Sequence, residues 1–114
     1  MPKRPITIPE LFARVRRSAR GKKPSRVKEL LAKGKVPVAK KLGEEGGEAA
    51  LAVAAESKGR VIAEFGDVLY QMAVSAHMRG VTLDEIYVEL GKRVRNGTKT
   101  PPRKRKQKKK RKKG

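Results

Sequence analysis

At 114 residues the chain has room for one modest domain. Cysteine is absent and histidine occurs once, at His77, which excludes disulfides, thiolate chemistry and zinc sites built on cysteine or histidine clusters. The net charge of +20 favours polyanionic partners such as phosphorylated metabolites, nucleic acid or anionic surfaces, and any bound metal must sit on oxygen ligands, which suits magnesium or manganese.

The charge is unevenly spread. Residues 99–114 carry eleven Lys or Arg and no acid, which leaves +9 on residues 1–98. All the acids except Glu10 and Glu29 fall between Glu44 and Glu89. The expected organisation is a flexible N-terminus over residues 1–8, an all-α domain over 9–96 and a disordered polybasic tail over 97–114.

Pro9 suits the first turn of a helix and Glu10 complements its dipole. Leu11, Phe12 and Val15 give this helix a short apolar face, and it ends near Arg20-Gly21. Pro24-Ser25 opens a second short helix, with Val27, Leu30 and Leu31 apolar and Gly34 as its stop. A third helix is expected from Pro37 to about Glu56, with Val38, Leu42, Ala49, Ala52 and Val53 in helical period. Gly43, Gly46 and Gly47 fit this helix less easily, each costing roughly 1 kcal/mol against alanine. Close packing against a neighbour, or a local break beside a site, would account for them.

Ser57-Lys58-Gly59 makes a turn into a fourth helix, from about Arg60 to Met78 and stopped by Gly80. Its expected core face is Val61, Ile62, Phe65, Val68, Leu69, Met72 and Ala76. Thr82-Leu83-Asp84-Glu85 reads as a capping box opening a fifth helix, amphipathic through Leu83, Ile86, Tyr87, Leu90 and Val94. The fold class is therefore all-α: an antiparallel helical hairpin with short flanking helices. One hairpin buries too little apolar area to stand alone, so a homodimer or larger even oligomer forming a four-helix core is expected. No apolar run approaches the roughly 20 residues of a membrane span. Met1-Pro2-Lys3-Arg4-Pro5 lacks the apolar stretch of a signal peptide. A cytosolic protein with no membrane partner is expected.

The hairpin carries the chemistry. Glu44, Glu45 and Glu48 lie three and four apart on the third helix, and Glu64 and Asp67 three apart on the fourth. Such spacings place them on shared helix surfaces, and a short turn lets the two sets face each other. Like charges brought together in this way need a cation between them, and magnesium takes hard oxygen ligands. The alternative is a solvated acidic face, salt-bridged to Lys40, Lys41 and Arg60. Helix four favours the site: Arg60, Glu64, Asp67 and Gln71 form one polar stripe beside core positions, and partly buried acids need partners.

The run Glu44-Glu45-Gly46-Gly47-Glu48, followed by Glu64-Phe65-Gly66-Asp67, resembles the E-E-x-x-E and E-x-x-D metal signature of the all-α nucleotide pyrophosphohydrolases. The flanks are similar to the phosphoribosyl-ATP pyrophosphohydrolase family of histidine biosynthesis. They are Ser25-Arg26-Val27-Lys28-Glu29-Leu30-Leu31-Ala32-Lys33-Gly34, Lys40-Lys41-Leu42-Gly43, Asp67-Val68-Leu69-Tyr70 and Arg79-Gly80-Val81-Thr82-Leu83-Asp84-Glu85-Ile86. The likeness covers roughly residues 8–95. It departs at Arg26-Val27, where the family usually has Tyr-Thr, at Gln71, where it usually has His, and at Gly46-Gly47, where it has larger apolar residues.

The resemblance implies hydrolysis of the α–β phosphoanhydride of phosphoribosyl-ATP, giving phosphoribosyl-AMP and pyrophosphate. Glu45, Glu48, Glu64 and Asp67 would hold magnesium, and Glu44, with Glu45, would serve catalysis by positioning water or a second metal. Lys40, Lys41 and Arg60 would meet the substrate phosphates. Ser25 would contact the phosphoribosyl end, or simply cap its helix. Two rival readings stand beside this one, of which only the first uses the acidic cluster. One is a house-cleaning pyrophosphohydrolase acting on nucleoside triphosphates. The other is a non-catalytic helical protein binding nucleic acid without sequence preference through its basic tail, extended by Arg14, Arg16, Arg17 and Arg20.

Overall fold

The computed structural model describes residues 4–97. Five α-helices account for these residues: α1 (Ile8–Arg20), α2 (Arg26–Ala32), α3 (Lys35–Ala55), α4 (Lys58–Arg79) and α5 (Leu83–Arg95). There is no strand among the described residues. The expected elements are all present, with boundaries shifted by a few residues at most.

Local chemistry sets most of the ends. The Thr7 hydroxyl accepts from the Glu10 amide at 3.2 Å and the Glu10 carboxylate accepts from the Thr7 amide at 2.9 Å, a complete capping box. The helix therefore starts at Ile8, before the proline expected to open it. Ser25 and Ser57 cap α2 and α4, accepting from Lys28 and Arg60 amides at 3.1 and 3.2 Å. Gly80 stops α4 with φ +70°, and the Val81 amide reaches back to the Ala76 carbonyl at 2.8 Å in the Schellman manner. Gly34, at φ +96°, lets the chain turn abruptly from α2 into α3.

The linker of Glu56 and Ser57 is so short that α3 and α4 must pack antiparallel. Helices α1 and α2 close one end of this hairpin, against the N-terminal part of α3 and the C-terminal part of α4. The apolar core sits there: Val15, Val27, Leu30, Val38, Ala73 and Val74 are buried, flanked by Leu11, Phe12, Tyr70 and Met78. Helix α5 belongs to a second unit beginning at Asp84. It carries acids in its first turn and bases in its last, and Arg93 Nε donates to Glu89 at 3.0 Å.

One expectation is overturned, and part of a second. On α4, Ile62, Phe65 and Met72 are 62%, 51% and 38% exposed, whereas Glu64 and Gln71 are buried. Half of the polar stripe, Glu64 and Gln71, is turned inward, while Arg60 and Asp67 stay exposed and Ile62 and Phe65 face outward. On α3, Val53 is likewise exposed while Glu45, Ala49 and Ala52 face inward. The second expectation concerns the glycines. Helix α3 runs unbroken through Gly43, Gly46 and Gly47, and a Cβ at any of them would meet nothing within 4 Å. The helix has no break there, and no described residue of the chain packs closely against these glycines.

Candidate active site

The inner face of the hairpin is built from small and acidic residues. On α3, Glu45, Ala49 and Ala52 recur at four and three positions and are all buried. On α4, Glu64 and Gln71 occupy equivalent inward places two turns apart. The alanines present little bulk, so space remains between the helices for the longer carboxylates. Oxygen atoms of Glu45, Glu48 and Glu64 lie within 4.8 Å of one another.

This convergence is electrostatically expensive. The charges of Glu45 and then Glu64, ahead of desolvation, push the Glu48 carboxyl above the usual carboxylate range. Two cations offset part of the repulsion. Lys41 Nζ lies 3.3 Å from Glu45, and Arg60 pairs with both Glu56, at 3.2 Å, and Glu64. The Glu56 hydrogen bond and then the Glu64 charge hold the Arg60 guanidinium above its ordinary value. The compensation is incomplete: Glu45 Oε1 and Glu64 Oε1 are buried with no hydrogen-bond partner, as is Gln71 Oε1 on the same face of α4. Buried carboxylate oxygens without partners are costly, and a divalent cation with hard-oxygen preference satisfies them. The residues present therefore fit a metal site of the magnesium or manganese type.

The structure brings together three of the four expected metal ligands. Asp67 is exposed, one turn beyond Glu64, and stands outside the converged group. Glu44 is exposed beside Glu45 and lines a cavity of about 280 Å³ with Lys40 and Lys41. Lys41 thus borders both the carboxylates and this cavity, Lys40 borders the cavity, and Arg60 sits on the carboxylate side. Ser25 is spent on capping α2 and lines a different cavity with Arg17, Lys22 and Lys23. Arg26 and Lys33, which carry no motif spacing of their own, also border the Lys40–Lys41 cavity. Their signal was faint: Arg26 stood out only as a basic residue where the resembled family has tyrosine.

No helix among the described residues is long and apolar enough to cross a membrane. The family model of phosphoribosyl-ATP pyrophosphohydrolase matches residues 10–94. A phosphoribosyl-ATP pyrophosphatase from Azorhizobium caulinodans is 48% identical over 71 residues, spanning 62% of this chain and 65% of the relative. One from Saccharolobus islandicus is 46% identical over 65 residues, spanning 57% and 69%. Phosphoribosyl-ATP pyrophosphatase 1 of Rhodopseudomonas palustris is 40% identical over 90 residues, spanning 78% of this chain and 84% of the relative. No solved structure matches with significance. The matched region runs from the end of the Thr7–Glu10 capping box almost to the end of α5 and contains every carboxylate of the hairpin; the chain belongs to the phosphoribosyl-ATP pyrophosphohydrolase family.

Proposed function

We propose that this chain hydrolyses phosphoribosyl-ATP at its α–β phosphoanhydride, releasing phosphoribosyl-AMP and pyrophosphate in histidine biosynthesis, with a divalent cation. The observation that carries the reading is the convergence of Glu45, Glu48 and Glu64 from two helices, with two buried oxygens left unsatisfied. Family membership supplies the substrate.

Glu45, Glu48 and Glu64 would hold the cation, and Asp67, exposed one turn further along α4, would be the fourth ligand. The chemistry that magnesium or manganese would supply there is neutralisation of phosphate charge and polarisation of the bond to be broken. Glu44, in solvent beside Glu45, orients the attacking water. Lys40 and Lys41 offset the charge of the phosphates. Arg60 pins Glu64 in place through its ion pair and reaches the same phosphates.

The working unit in this reading is a homodimer or larger even oligomer, whose second copy covers the outward Ile62, Phe65 and Met72 and completes a four-helix core. The deciding experiment is a turnover screen of the full chain with magnesium, offering phosphoribosyl-ATP against the common nucleoside triphosphates. Phosphoribosyl-ATP is expected to be preferred in kcat/KM by orders of magnitude. Equal turnover of ordinary triphosphates would assign the chain to nucleotide house-cleaning instead.

A further inference from the structure

The substrate in the reading above is phosphorylated at both ends: a triphosphate at one, and the 5-phosphate of the added ribosyl group at the other. The carboxylate cluster accounts for only one end. Beside it lies the cavity of about 280 Å³ walled by Arg26, Lys33, Lys40 and Lys41, with Glu44 as its one acid. Four cations against one carboxylate make this a strongly positive recess. Its lining also includes Leu30 and Val38, each 4% exposed, which give the recess an apolar base with the cations around it. Its volume lies at or just below the roughly 300–1,000 Å³ of a pocket that encloses a whole ligand, and suits one end of a larger one.

We propose that this recess binds the 5-phosphate of the phosphoribosyl group, with Arg26 and Lys33 as specificity residues for that remote end; the proposal rests on the hydrolase reading above. The cations are available for the task. Among the described residues Arg26 is engaged only by Glu29, at 3.5 Å and with both side chains more than half exposed, a screened pair that a doubly charged phosphate displaces. Lys33 and Lys40 have no ion-pair partner among the described residues. Spacing along α3 also suits a ligand lying across both places. Lys40 precedes Glu48 by eight positions, which at 1.5 Å per residue is about 12 Å, the scale of a nucleotide rather than of a single phosphate. Lys41 faces both ends, since it borders the recess and lies 3.3 Å from Glu45. A guanidinium also offers a planar fork to two phosphate oxygens, which tyrosine, usual at this place in the resembled family, does not.

The test uses the full chain and ribose 5-phosphate as probe, titrated without metal at low salt, alongside steady-state kinetics. The double variant Arg26→Ala/Lys33→Ala is compared with Arg17→Ala/Lys22→Ala, which removes the same charge from the separate cavity. The first pair should weaken ribose 5-phosphate binding by about tenfold or more, and the second by less than about twofold. With phosphoribosyl-ATP the first pair should raise KM about tenfold with kcat within about twofold, and should leave KM for ATP, which lacks the remote phosphate, unchanged. Failure of the wild type to bind ribose 5-phosphate, equal weakening by both pairs, or an equal rise in KM for ATP would overturn the proposal. Binding that depends on Arg26 and Lys33 in a protein that turns over no phosphoribosyl-ATP would retain the phosphate site and reject the hydrolase reading.

Discussion

Lys41 Nζ sits 3.3 Å from Glu45, one turn back along α3, while the other oxygen of that carboxylate, Oε1, is buried without a partner. One oxygen is thus engaged by the chain and one is left facing the interior of the hairpin, where Glu64 Oε1 is in the same condition. Glu45→Gln removes a charged ligand while keeping shape and hydrogen-bonding capacity. Turnover with magnesium should fall on the order of 100-fold or more, and helical content by circular dichroism should stay the same. Full activity of the wild type after exhaustive chelation would reject the metal site altogether.

Glu48 gives the opposite signature in stability. Its carboxyl is pushed up by Glu45 and Glu64, so its charged form is disfavoured in the folded chain. The sign follows directly: the folded value lies above the unfolded one, so the penalty is fully present above the folded value and disappears as pH falls through it and then the unfolded one. Glu48→Gln should therefore raise Tm of the metal-free protein at neutral pH while removing most of the Tm increase that magnesium gives the wild type. Scanning calorimetry with and without metal separates the two effects. A variant less stable than wild type without metal would show that Glu48 is not under like-charge strain.

How much of this was legible beforehand depends on the kind of residue. Helix number, the three serine and glycine punctuation points at Ser25, Ser57 and Gly80, and the acidic spacing on two facing helices follow from local rules, and the structure realises them. The orientation of α4 does not follow. Hydrophobic period assigns Ile62, Phe65 and Met72 to the core because it assumes that a helix buries its apolar face within its own chain. Here the hairpin interior near its turn holds carboxylates, so Glu64 and Gln71 turn inward while Ile62, Phe65 and Met72 turn outward. The Thr7-Ile8-Pro9-Glu10 box was readable as a T-x-x-E pattern, but Pro9 drew attention as the helix opener. Lys33 is harder to read: Arg26 lies two turns back on the same short helix, but Lys40 meets them only across the α2–α3 turn.

The same box predicts the behaviour of the chain in acid. Glu10 is held below the usual carboxylate range, first by the Thr7 amide and further by Arg4. A lowered folded value means a contribution that is present above the unfolded value and lost as pH falls through the folded one. Glu10→Gln should flatten that part of the acid limb of the stability curve, measured by urea unfolding from pH 6 downward. Thr7→Ala should cost about 1 kcal/mol at neutral pH. If neither variant differed from wild type, α1 would not be held by this cap.

Outward apolar residues on α4 make assembly testable independently of catalysis. Ile62 and Phe65 are exposed by 62% and 51%, and Leu51 on α3 by 65%, all on one hairpin. Ile62→Glu/Phe65→Glu places two charges on that face without touching the inward carboxylates. Wild-type protein should run as a dimer or larger even species in light scattering at micromolar concentration. The double variant should shift to monomer and keep its helical far-ultraviolet spectrum. A monodisperse, stable wild-type monomer would mean that the hairpin tolerates these residues in water and that the four-helix core does not form.

The polybasic segment tests the boundary between catalysis and charge. Residues 98–114 lie outside the described residues, so the expectation of a disordered tail and of nucleic-acid binding through it rests on sequence. Eleven of the chain's 31 basic residues fall there, with no aromatic side chain for base stacking. Any hold on nucleic acid must work through counterion release, which weakens steeply as salt rises. The carboxylate cluster and the cation-lined recess both lie within residues 26–67, so nothing in the proposed chemistry calls on the tail. Truncation after Asn96 should leave kcat/KM within about twofold at moderate salt, where added charge attracts substrate only weakly. At low salt the same truncation should abolish most retention on heparin. Loss of turnover in a folded truncation would mean that the tail reaches the substrate, and the recess walled by Arg26 and Lys33 would then not be the only place where the remote phosphate meets positive charge.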